Sequence, residues 1–314
     1  MDSLTLILFI LGFVLLVGGA NLLVEGASRL AGLLGVSPLI IGLTVVAFGT
    51  SAPELAVSVQ SSLQGQTDLA IGNVVGSNIL NILLVLGVAA IITPISIHKR
   101  VIKLEVPIMI AVSVLLLVLS FDGMLSRWDG LLLFSGILLY IFFTIKTQDK
   151  VEVSETEQDS KTGVASILLE LVFIIIGLGL LVVGSQWLVD GAIVIAELFG
   201  VSQLVIGLTI VSIGTSLPEL ATVVVASLKK QEDLIVGNVV GSNIFNILLV
   251  LGATSLVAPN GIVVSEAAIG LNMPIMIAVA FLCLPIFFKG YKIQRWEGGL
   301  FLGLYVAYTT YLLL

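Results

Sequence analysis

Two stretches of sequence decide the fold, because the second repeats the first. Residues 42–56 read GLTVVAFGTSAPELA, and residues 68–87 read DLAIGNVVGSNILNILLVLG. Residues 207–221 and 233–252 read GLTIVSIGTSLPELA and DLIVGNVVGSNIFNILLVLG. Matching positions are separated by 165 residues throughout, as Glu54 and Glu219 are. One register held over two motifs indicates that a whole structural unit has been duplicated.

The amino-acid composition places both copies of this unit in a lipid bilayer. Of the 314 residues, 58% are hydrophobic and 11% are charged, and the mean hydropathy is +1.22. Such values are typical of proteins that cross membranes and not of soluble domains. The net charge of −7 comes largely from loops and indicates no nucleic-acid partner. The sequence therefore predicts a multi-pass protein of the cell membrane, with the lipid bilayer as its surroundings.

Apolar runs of about 20 residues are long enough to cross a bilayer as helices. Polar breaks divide the chain into ten such runs, so we expect an all-α integral membrane protein with ten transmembrane helices. Their predicted bounds are 4–33, 38–63, 69–92, 101–120, 129–146, 164–197, 203–228, 234–258, 267–288 and 297–314.

The duplication extends beyond the two motifs and covers five helices in each half. VPIMIAV from Val106 is echoed by MPIMIAV from Met273, and RWDG from Arg127 is echoed by RWEG from Arg295. We expect residues 1–146 and 164–314 to form two five-helix repeats, joined by an acidic cytoplasmic linker at 147–163. Because five is an odd number, the two copies must cross the membrane in opposite directions, as inverted repeats.

The basic residues predict the same topology. If successive loops alternate sides, one side of the membrane receives twelve of the 13 Lys and Arg residues, and the other receives only Arg127. Basic residues are enriched in cytoplasmic loops. We therefore expect the central linker inside the cell and both termini outside.

Each motif places a glutamate in a strongly apolar run, directly after a proline. An ionised side chain is costly within a membrane and usually marks a path for an ion or substrate. Pro53 has no N–H to offer the Gly49 carbonyl, and Pro218 likewise leaves the Gly214 carbonyl without its helical donor. A carbonyl freed in this way needs another partner, and a cation is one such partner.

Helical spacing groups further oxygen-bearing side chains with these glutamates. Thr50 and Ser51 share a helix face with Glu54, since they precede it by four and three residues. A second helix carries polar residues at every fourth position. The full set is Thr50, Ser51, Glu54, Asn73, Ser77 and Asn81 in the first half, and Thr215, Ser216, Glu219, Asn238, Ser242 and Asn246 in the second.

This set of ligands favours hard cations such as Ca²⁺ and Na⁺, which prefer oxygen. The only histidine, His98, falls in a predicted loop, and the only cysteine, Cys283, lies in an apolar run, so softer metals are disfavoured.

Two other duplicated features are better explained by structure than by ion binding. The GxxxG pairs, Gly72 with Gly76 and Gly237 with Gly241, are typical of helix packing. Glu25 and Asp190 also lie 165 positions apart, but toward span ends, which favours a structural or interfacial role.

The duplicated motifs, GTSAPEL with GNVVGSNILN and GTSLPEL with GNVVGSNIFN, resemble the α-repeats of the cation/calcium exchanger superfamily, specifically its prokaryotic sodium/calcium exchangers. The resemblance covers nearly the whole chain. It implies that Glu54 and Glu219 bind Ca²⁺ centrally, with added oxygens from Thr50 and Thr215. It further implies flanking Na⁺ sites formed by the hydroxyls of Ser51, Ser77, Ser216 and Ser242 and by the backbone carbonyls of Ala47 and Ser212. It places the side chains of Asn81 and Asn246 beside the central site.

Some archaeal and potassium-dependent members of the superfamily carry an aspartate where this chain has Asn246. That difference argues against potassium dependence. The branch that exchanges protons for Ca²⁺ typically has a glutamate in the helix where this chain has Gly76 and Ser77, which argues against proton coupling.

The expected function is therefore a secondary antiporter, not an enzyme, that exchanges Ca²⁺ for Na⁺ by alternating access, with three Na⁺ per Ca²⁺. We expect no resident cofactor, and the sequence contains no nucleotide-binding motif of an ATP-driven pump. Two alternatives stay open at this point. A Ca²⁺/H⁺ antiporter would use the same glutamates as proton acceptors, and a cation channel would hold them in a continuous path.

Overall fold

The chain folds almost entirely into helices, as its apolar runs predict. The computed structural model describes residues 3–147, 163–199 and 212–313. Within these residues, eight helical segments are long and apolar enough to cross a membrane, and their bounds lie within two residues of those predicted. They are Leu4–Leu34, Pro38–Leu63, Thr67–Ile92, Val101–Leu119, Arg127–Lys146, Val164–Leu198, Glu232–Val257 and Ala268–Phe288. The all-helical membrane fold is confirmed.

Two of the ten predicted spans are not among these eight. The span predicted at 203–228 is described only from Ser212 onward, where it ends in the apolar helix Leu217–Leu228. The span predicted at 297–314 is observed as the 19-residue helix Arg295–Leu313. The count of ten transmembrane helices stays a prediction, and residues 148–162 of the predicted linker lie outside the described part of the chain.

We number the α-helices of the described residues in chain order: α1 Ser3–Leu34, α2 Pro38–Ile41, α3 Ala47–Thr50, α4 Ala52–Leu63, α5 Thr67–Leu80, α6 Gly87–Ile92, α7 Val106–Leu119, α8 Arg127–Lys146, α9 Val164–Leu198, α10 Ser212–Thr215, α11 Leu217–Leu228, α12 Glu232–Phe245, α13 Gly252–Val257, α14 Met273–Phe288 and α15 Arg295–Leu313. Within the same described residues, five π-helical segments join them, at Gly42–Val46, Asn81–Leu86, Val101–Glu105, Asn246–Leu251 and Ala268–Asn272.

The predicted helix breaks occur at the duplicated prolines. The backbone leaves the helical conformation at Ser51, with ψ near 1°, between α3 and α4. Ser216, with ψ near 8°, does the same between α10 and α11. Each proline then lies in the first turn of the new helix, where its missing N–H costs little. The breaks are therefore confirmed, and they place each motif glutamate at a helix start.

The two longest helices, α1 and α9, pack antiparallel through glycines. A Cβ on Gly19 would lie 2.6 Å from the Gly177 carbonyl oxygen, and one on Gly12 would lie 2.9 Å from that of Gly184. Because Gly177 and Gly184 are the repeat counterparts of Gly12 and Gly19, this contact is the same when viewed from either half. Only residues without a side chain allow so close an approach.

Further contacts between the halves are reciprocal in the same way. In the part of the chain that the structure describes, four two-residue strands form two antiparallel pairs: β1 Ile95–Ser96 pairs with β4 Lys292–Ile293, and β2 Met124–Leu125 pairs with β3 Ile262–Val263. Since β3 and β4 are the sequence counterparts of β1 and β2, each half contributes one strand to each pair.

The middle of the molecule is formed by α5 and α12 with the π-helical segments that follow them. In the most apolar window of Glu232–Val257, 94% of the residues are buried, against 33% for Leu4–Leu34. Gly237 and Gly241 bring α12 close to the second span, and a Cβ on Gly237 would lie 2.7 Å from the Leu39 carbonyl oxygen. The packing interpretation of this GxxxG pair is confirmed. For Gly72, apart from its chain neighbours and the nearby backbone of its own helix, no atom of the described residues lies within 4 Å of the added Cβ.

Candidate ion-binding site

The two motif glutamates are fully buried where the halves meet. Both Glu54 and Glu219 have 0% exposed surface. Each lies in the first turn of a helix that begins at a proline-containing break, and a helix N-terminus favours negative charge. Glu54 Oε1 accepts hydrogen bonds from Ser77 Oγ, at 3.3 Å, and from Ser216 Oγ of the other half, at 3.0 Å.

The broken helix of each half contacts the polar ladder of the other half. Thr50 Oγ1 donates to Asn238 Oδ1 at 3.0 Å and lies 3.3 Å from Ser242 Oγ. In the reciprocal contact, Thr215 Oγ1 donates to Asn73 Oδ1 at 3.2 Å. Hydroxyls and amides that are far apart in sequence therefore surround one small volume.

Asn73 also braces the first glutamate. Its Nδ2 donates to the Glu54 backbone carbonyl at 3.1 Å and to Ser58 Oγ at 3.0 Å. Ser216 Oγ and Ser77 Oγ lie 3.1 Å apart, so the predicted hydroxyl positions of the two halves adjoin each other.

Several buried oxygens in this cluster have no hydrogen-bond partner among the described residues. They are Glu54 Oε2, both carboxylate oxygens of Glu219, Ser51 Oγ, Asn81 Oδ1 and Asn246 Oδ1. No ion pair of the described residues reaches either glutamate. Burying an uncompensated carboxylate is costly, and a cation would supply the missing charge. The donor set is all oxygen, so it fits Ca²⁺ or Na⁺ as cargo.

The two predicted backbone ligands, Ala47 and Ser212, each lie four residues before a helix break. The Ala47 carbonyl accepts the Ser51 N–H at 3.0 Å and lies 3.5 Å from Thr50 Oγ1. A carbonyl oxygen has two lone pairs, so it can still bind a cation. Ser212 is the first residue of α10, one helical turn before Ser216.

Sequence reasoning missed Asn78 and Asn243, which lie inside the cluster of amides. Asn81 Nδ2 donates to Asn243 Oδ1 at 3.2 Å, and Asn246 Nδ2 donates to Asn78 Oδ1 at 3.1 Å. The signal was present, since both residues lie in the duplicated GSN sequence and are 165 positions apart. Their role depends on contact between the halves, which no single motif shows.

Glu25 and Asp190 do not join this cluster. Glu25 is half exposed, and its carboxylate lies 2.6 Å from Lys229 Nζ and 3.2 Å from Arg29. Asp190 is exposed on α9. The described residues contain no group of three or more His, Cys, Asp and Glu side chains that could hold a metal. Neutral oxygens must therefore complete the coordination of any cation bound between the two glutamates.

Taken together, a helical membrane fold, duplicated halves and an oxygen-lined site at their contact define a secondary transporter of cations. Comparison with known proteins identifies the family. A sequence model described as sodium/calcium exchanger protein matches residues 4–146 and 169–314. The chain belongs to this family.

Named relatives and solved structures agree with that assignment. The chain is 35% identical over 352 residues to "Sodium/calcium exchanger MaX1" of Methanosarcina acetivorans, covering 99% of both chains. It is 43% identical over 261 residues to "Inner membrane protein YrbG" of Escherichia coli, covering 81% of this chain and 80% of the relative. The fold superposes on a structure of the sodium-calcium exchanger NCX_Mj with a TM-score of 0.85, at 35% identity and 99% coverage of each chain. The chain is thus a multi-pass membrane antiporter of cations.

Proposed function

We propose that the protein exchanges Ca²⁺ for Na⁺ across the cell membrane by alternating access, normally extruding Ca²⁺. In this proposal Glu54 and Glu219 hold Ca²⁺, with Thr50 and Thr215 contributing oxygens. The remaining predicted ligands bind Na⁺ or line the centre: Ala47, Ser51, Ser77, Asn81, Ser212, Ser216, Ser242 and Asn246. Two of the similar proteins are named as sodium/calcium exchangers, which supports this choice of ions.

The observation that carries the proposal is a pair of fully buried glutamates in which three of the four carboxylate oxygens lack a hydrogen-bond donor among the described residues. Glu54 has one carboxylate oxygen and Glu219 has two without a hydrogen-bond donor among the described residues. Ionised together they bring a charge of −2, which one Ca²⁺ or two Na⁺ would balance. A site that needs a cation for its own electrostatic balance is suited to exchange, because one cation can leave only as another takes its place.

We further propose that three Na⁺ enter for each Ca²⁺ that leaves. Hydroxyl pairs occur beside the glutamate in both halves, as Thr50 with Ser51 and Thr215 with Ser216, and they offer ligands for more than two small cations. Three Na⁺ against one Ca²⁺ moves one net charge, worth about 2.3 kcal/mol per 100 mV. The test is to clamp vesicle voltage with K⁺ and valinomycin and to find the potential at which net Ca²⁺ flux stops. A reversal point that ignores voltage would exclude this stoichiometry.

The ten-helix arrangement as two inverted repeats is part of the same proposal. The reciprocal strand pairs and the antiparallel packing of α1 on α9 support it. A cysteine in place of Asp159 should react with impermeant thiol reagents only from the cytoplasm, and one in place of Asp122 only from outside. A Cys283→Ala background removes the one native thiol. Labelling of both positions from one face would contradict the topology.

The exchange activity itself is tested by uptake of radiolabelled Ca²⁺ into Na⁺-loaded proteoliposomes, with the Na⁺ and pH gradients varied independently. Uptake should follow the outward Na⁺ gradient, should ignore the pH gradient and should need no K⁺. Uptake that follows the pH gradient alone would identify a Ca²⁺/H⁺ antiporter. Flux in the absence of any counter-ion would indicate a channel.

A further inference from the structure

Four asparagines form a closed hydrogen-bond network between the halves. Asn78 lies on α5 and Asn243 on α12, and the π-helical segments that follow these helices begin at Asn81 and Asn246. Asn78 and Asn243 are each 1% exposed, while Asn81 and Asn246 are fully buried. Asn78 Nδ2 donates to the Asn243 backbone carbonyl at 3.2 Å, and Asn243 Nδ2 donates to the Asn78 carbonyl at 3.3 Å. The two residues thus bind each other's backbone across the contact between the halves.

Methionine sulphurs complete the environment of each inner amide. Asn78 Nδ2 lies 3.6 Å from Met276 Sδ, and Asn243 Nδ2 lies 3.5 Å from Met109 Sδ. With both hydrogens of each NH₂ group directed to an acceptor, the amide cannot turn over without losing two contacts. The Oδ1 of each inner amide is therefore fixed toward the outer asparagine.

The fixed inner oxygen determines what the outer amides present. Because Asn78 Oδ1 can only accept, Asn246 must direct its NH₂ group toward it, and Asn81 must do the same toward Asn243 Oδ1. Asn81 Oδ1 and Asn246 Oδ1 are left buried and without a donor. An amide turned the other way would present hydrogens, which repel a cation.

We propose that Asn78 and Asn243 are positioning residues that orient the Asn246 and Asn81 amides, so that each offers an oxygen and not an NH₂ group to the transported cation. The inference rests on the proposed cation exchange. It assigns a role in ion selectivity to two residues that contact other protein groups and are not themselves ligands.

The test is a double-mutant cycle on reconstituted protein, with Asn78→Leu, Asn246→Ala and the double variant. If Asn78 acts through Asn246, each single change should raise the KM for Ca²⁺ by about ten-fold, the effect of 1.4 kcal/mol. The double variant should then resemble Asn246→Ala, since an orienting residue has no further effect once its target is gone. Effects that multiply would overturn the positioning role.

Two further variants test whether the effect is specific to the asparagine network. Asn272→Leu makes the same substitution outside the network and should leave the KM for Ca²⁺ unchanged. Met109→Leu with Met276→Leu conserves volume and removes only the sulphur acceptors, so it should raise the KM by about two- to three-fold, within the range of a weak contact. If Asn78→Leu does not fold, an unchanged KM in this methionine variant overturns the proposal by itself. A wild-type protein that does not transport Ca²⁺ would overturn the proposed function, whereas an active wild type with multiplying effects overturns the positioning role alone.

Discussion

Two buried regions of this molecule hold carboxylates and treat their charge in opposite ways. Glu105 is 0% exposed, and its oxygens lie 2.9 Å from Arg100 Nε and 2.9 Å from the Tyr140 hydroxyl. Glu54 and Glu219 are equally buried, yet no described basic residue pairs with them. Burial alone therefore does not distinguish a structural carboxylate from one that serves a cation.

The repeat comparison shows why the two cases differ. The counterparts of Arg100 and Glu105 in the second half, offset by 167 as in the VPIMIAV match, are Ala267 and Asn272. Both charges of this pair are absent there together, as expected for partners that serve only each other, because either charge alone would be costly. The motif glutamate, by contrast, is present in both halves. In the proposed function, its partner is the cation that binds between the halves.

The largest effect is expected at the two motif glutamates. Glu54→Gln and Glu219→Gln should each abolish Ca²⁺ exchange, because loss of a buried charged partner costs about 2–5 kcal/mol or more in binding. Folding should not suffer, since a neutral amide is less costly to bury than an unpaired carboxylate. The measurements are radiolabelled Ca²⁺ uptake and thermal unfolding in detergent. Exchange retained by either variant would remove that glutamate from the site.

For Glu105 we expect the opposite result, a loss of stability with Ca²⁺ exchange retained. Glu105→Gln leaves the Arg100 guanidinium buried without its counter-charge, so the free energy of unfolding should fall by about 3–5 kcal/mol. Exchange per folded molecule should persist at permissive temperature. Replacing both partners, as Arg100→Leu with Glu105→Leu, should recover much of the lost stability. A double variant as unstable as the single one would show that the ion pair is not what Glu105 contributes.

A smaller effect is expected at Asn246, where a substitution adds a third buried acid to the candidate ion-binding site. Asn246 donates to Asn78 Oδ1 at 3.1 Å, and the carboxyl of Asn246→Asp could donate there only while protonated. Once ionised, it would place an acceptor against an acceptor, at a cost of about 1–3 kcal/mol. Exchange by Asn246→Asp should therefore fall as pH rises, by about ten-fold, while Asn272→Asp serves as the control. A pH profile identical to wild type would contradict the amide orientation described above.

The sequence predicted those features that depend on local chemistry. The duplicated prolines indicated the breaks at Ser51 and Ser216, and helical spacing grouped the hydroxyls with Glu54. The sequence did not predict the π-helical segments that begin at Asn81 and Asn246, because a one-residue change in helical register hardly alters the spacing of apolar residues.

The missed contacts depend on which helix faces meet in the folded protein. The sequence places Arg100 outside the predicted spans and gives it no partner, whereas in the structure its guanidinium pairs with buried Glu105 and donates to the Thr147 carbonyl at 2.7 Å. Asn78 and Asn243 bind each other across the halves, 165 positions apart in the sequence. A repeat shows which residues are equivalent, but not which of them touch.

The smallest effect is expected at Glu25, a carboxylate at the protein surface. It pairs with Lys229 at the end of α11 and with Arg29 on its own helix, and its side chain is 52% exposed. Water already solvates this charge, so Glu25→Gln should change the free energy of unfolding by about 0–1 kcal/mol. The difference should shrink further at high salt, which screens exposed pairs. Thermal unfolding at low and high salt measures it, and Asp190→Gln gives an exposed acid of the second half for comparison. A change as large as that expected for Glu105→Gln would mean that the Glu25–Lys229 pair is shielded from water. This contact between α1 and α11 would then stabilise the fold as the Arg100–Glu105 pair does.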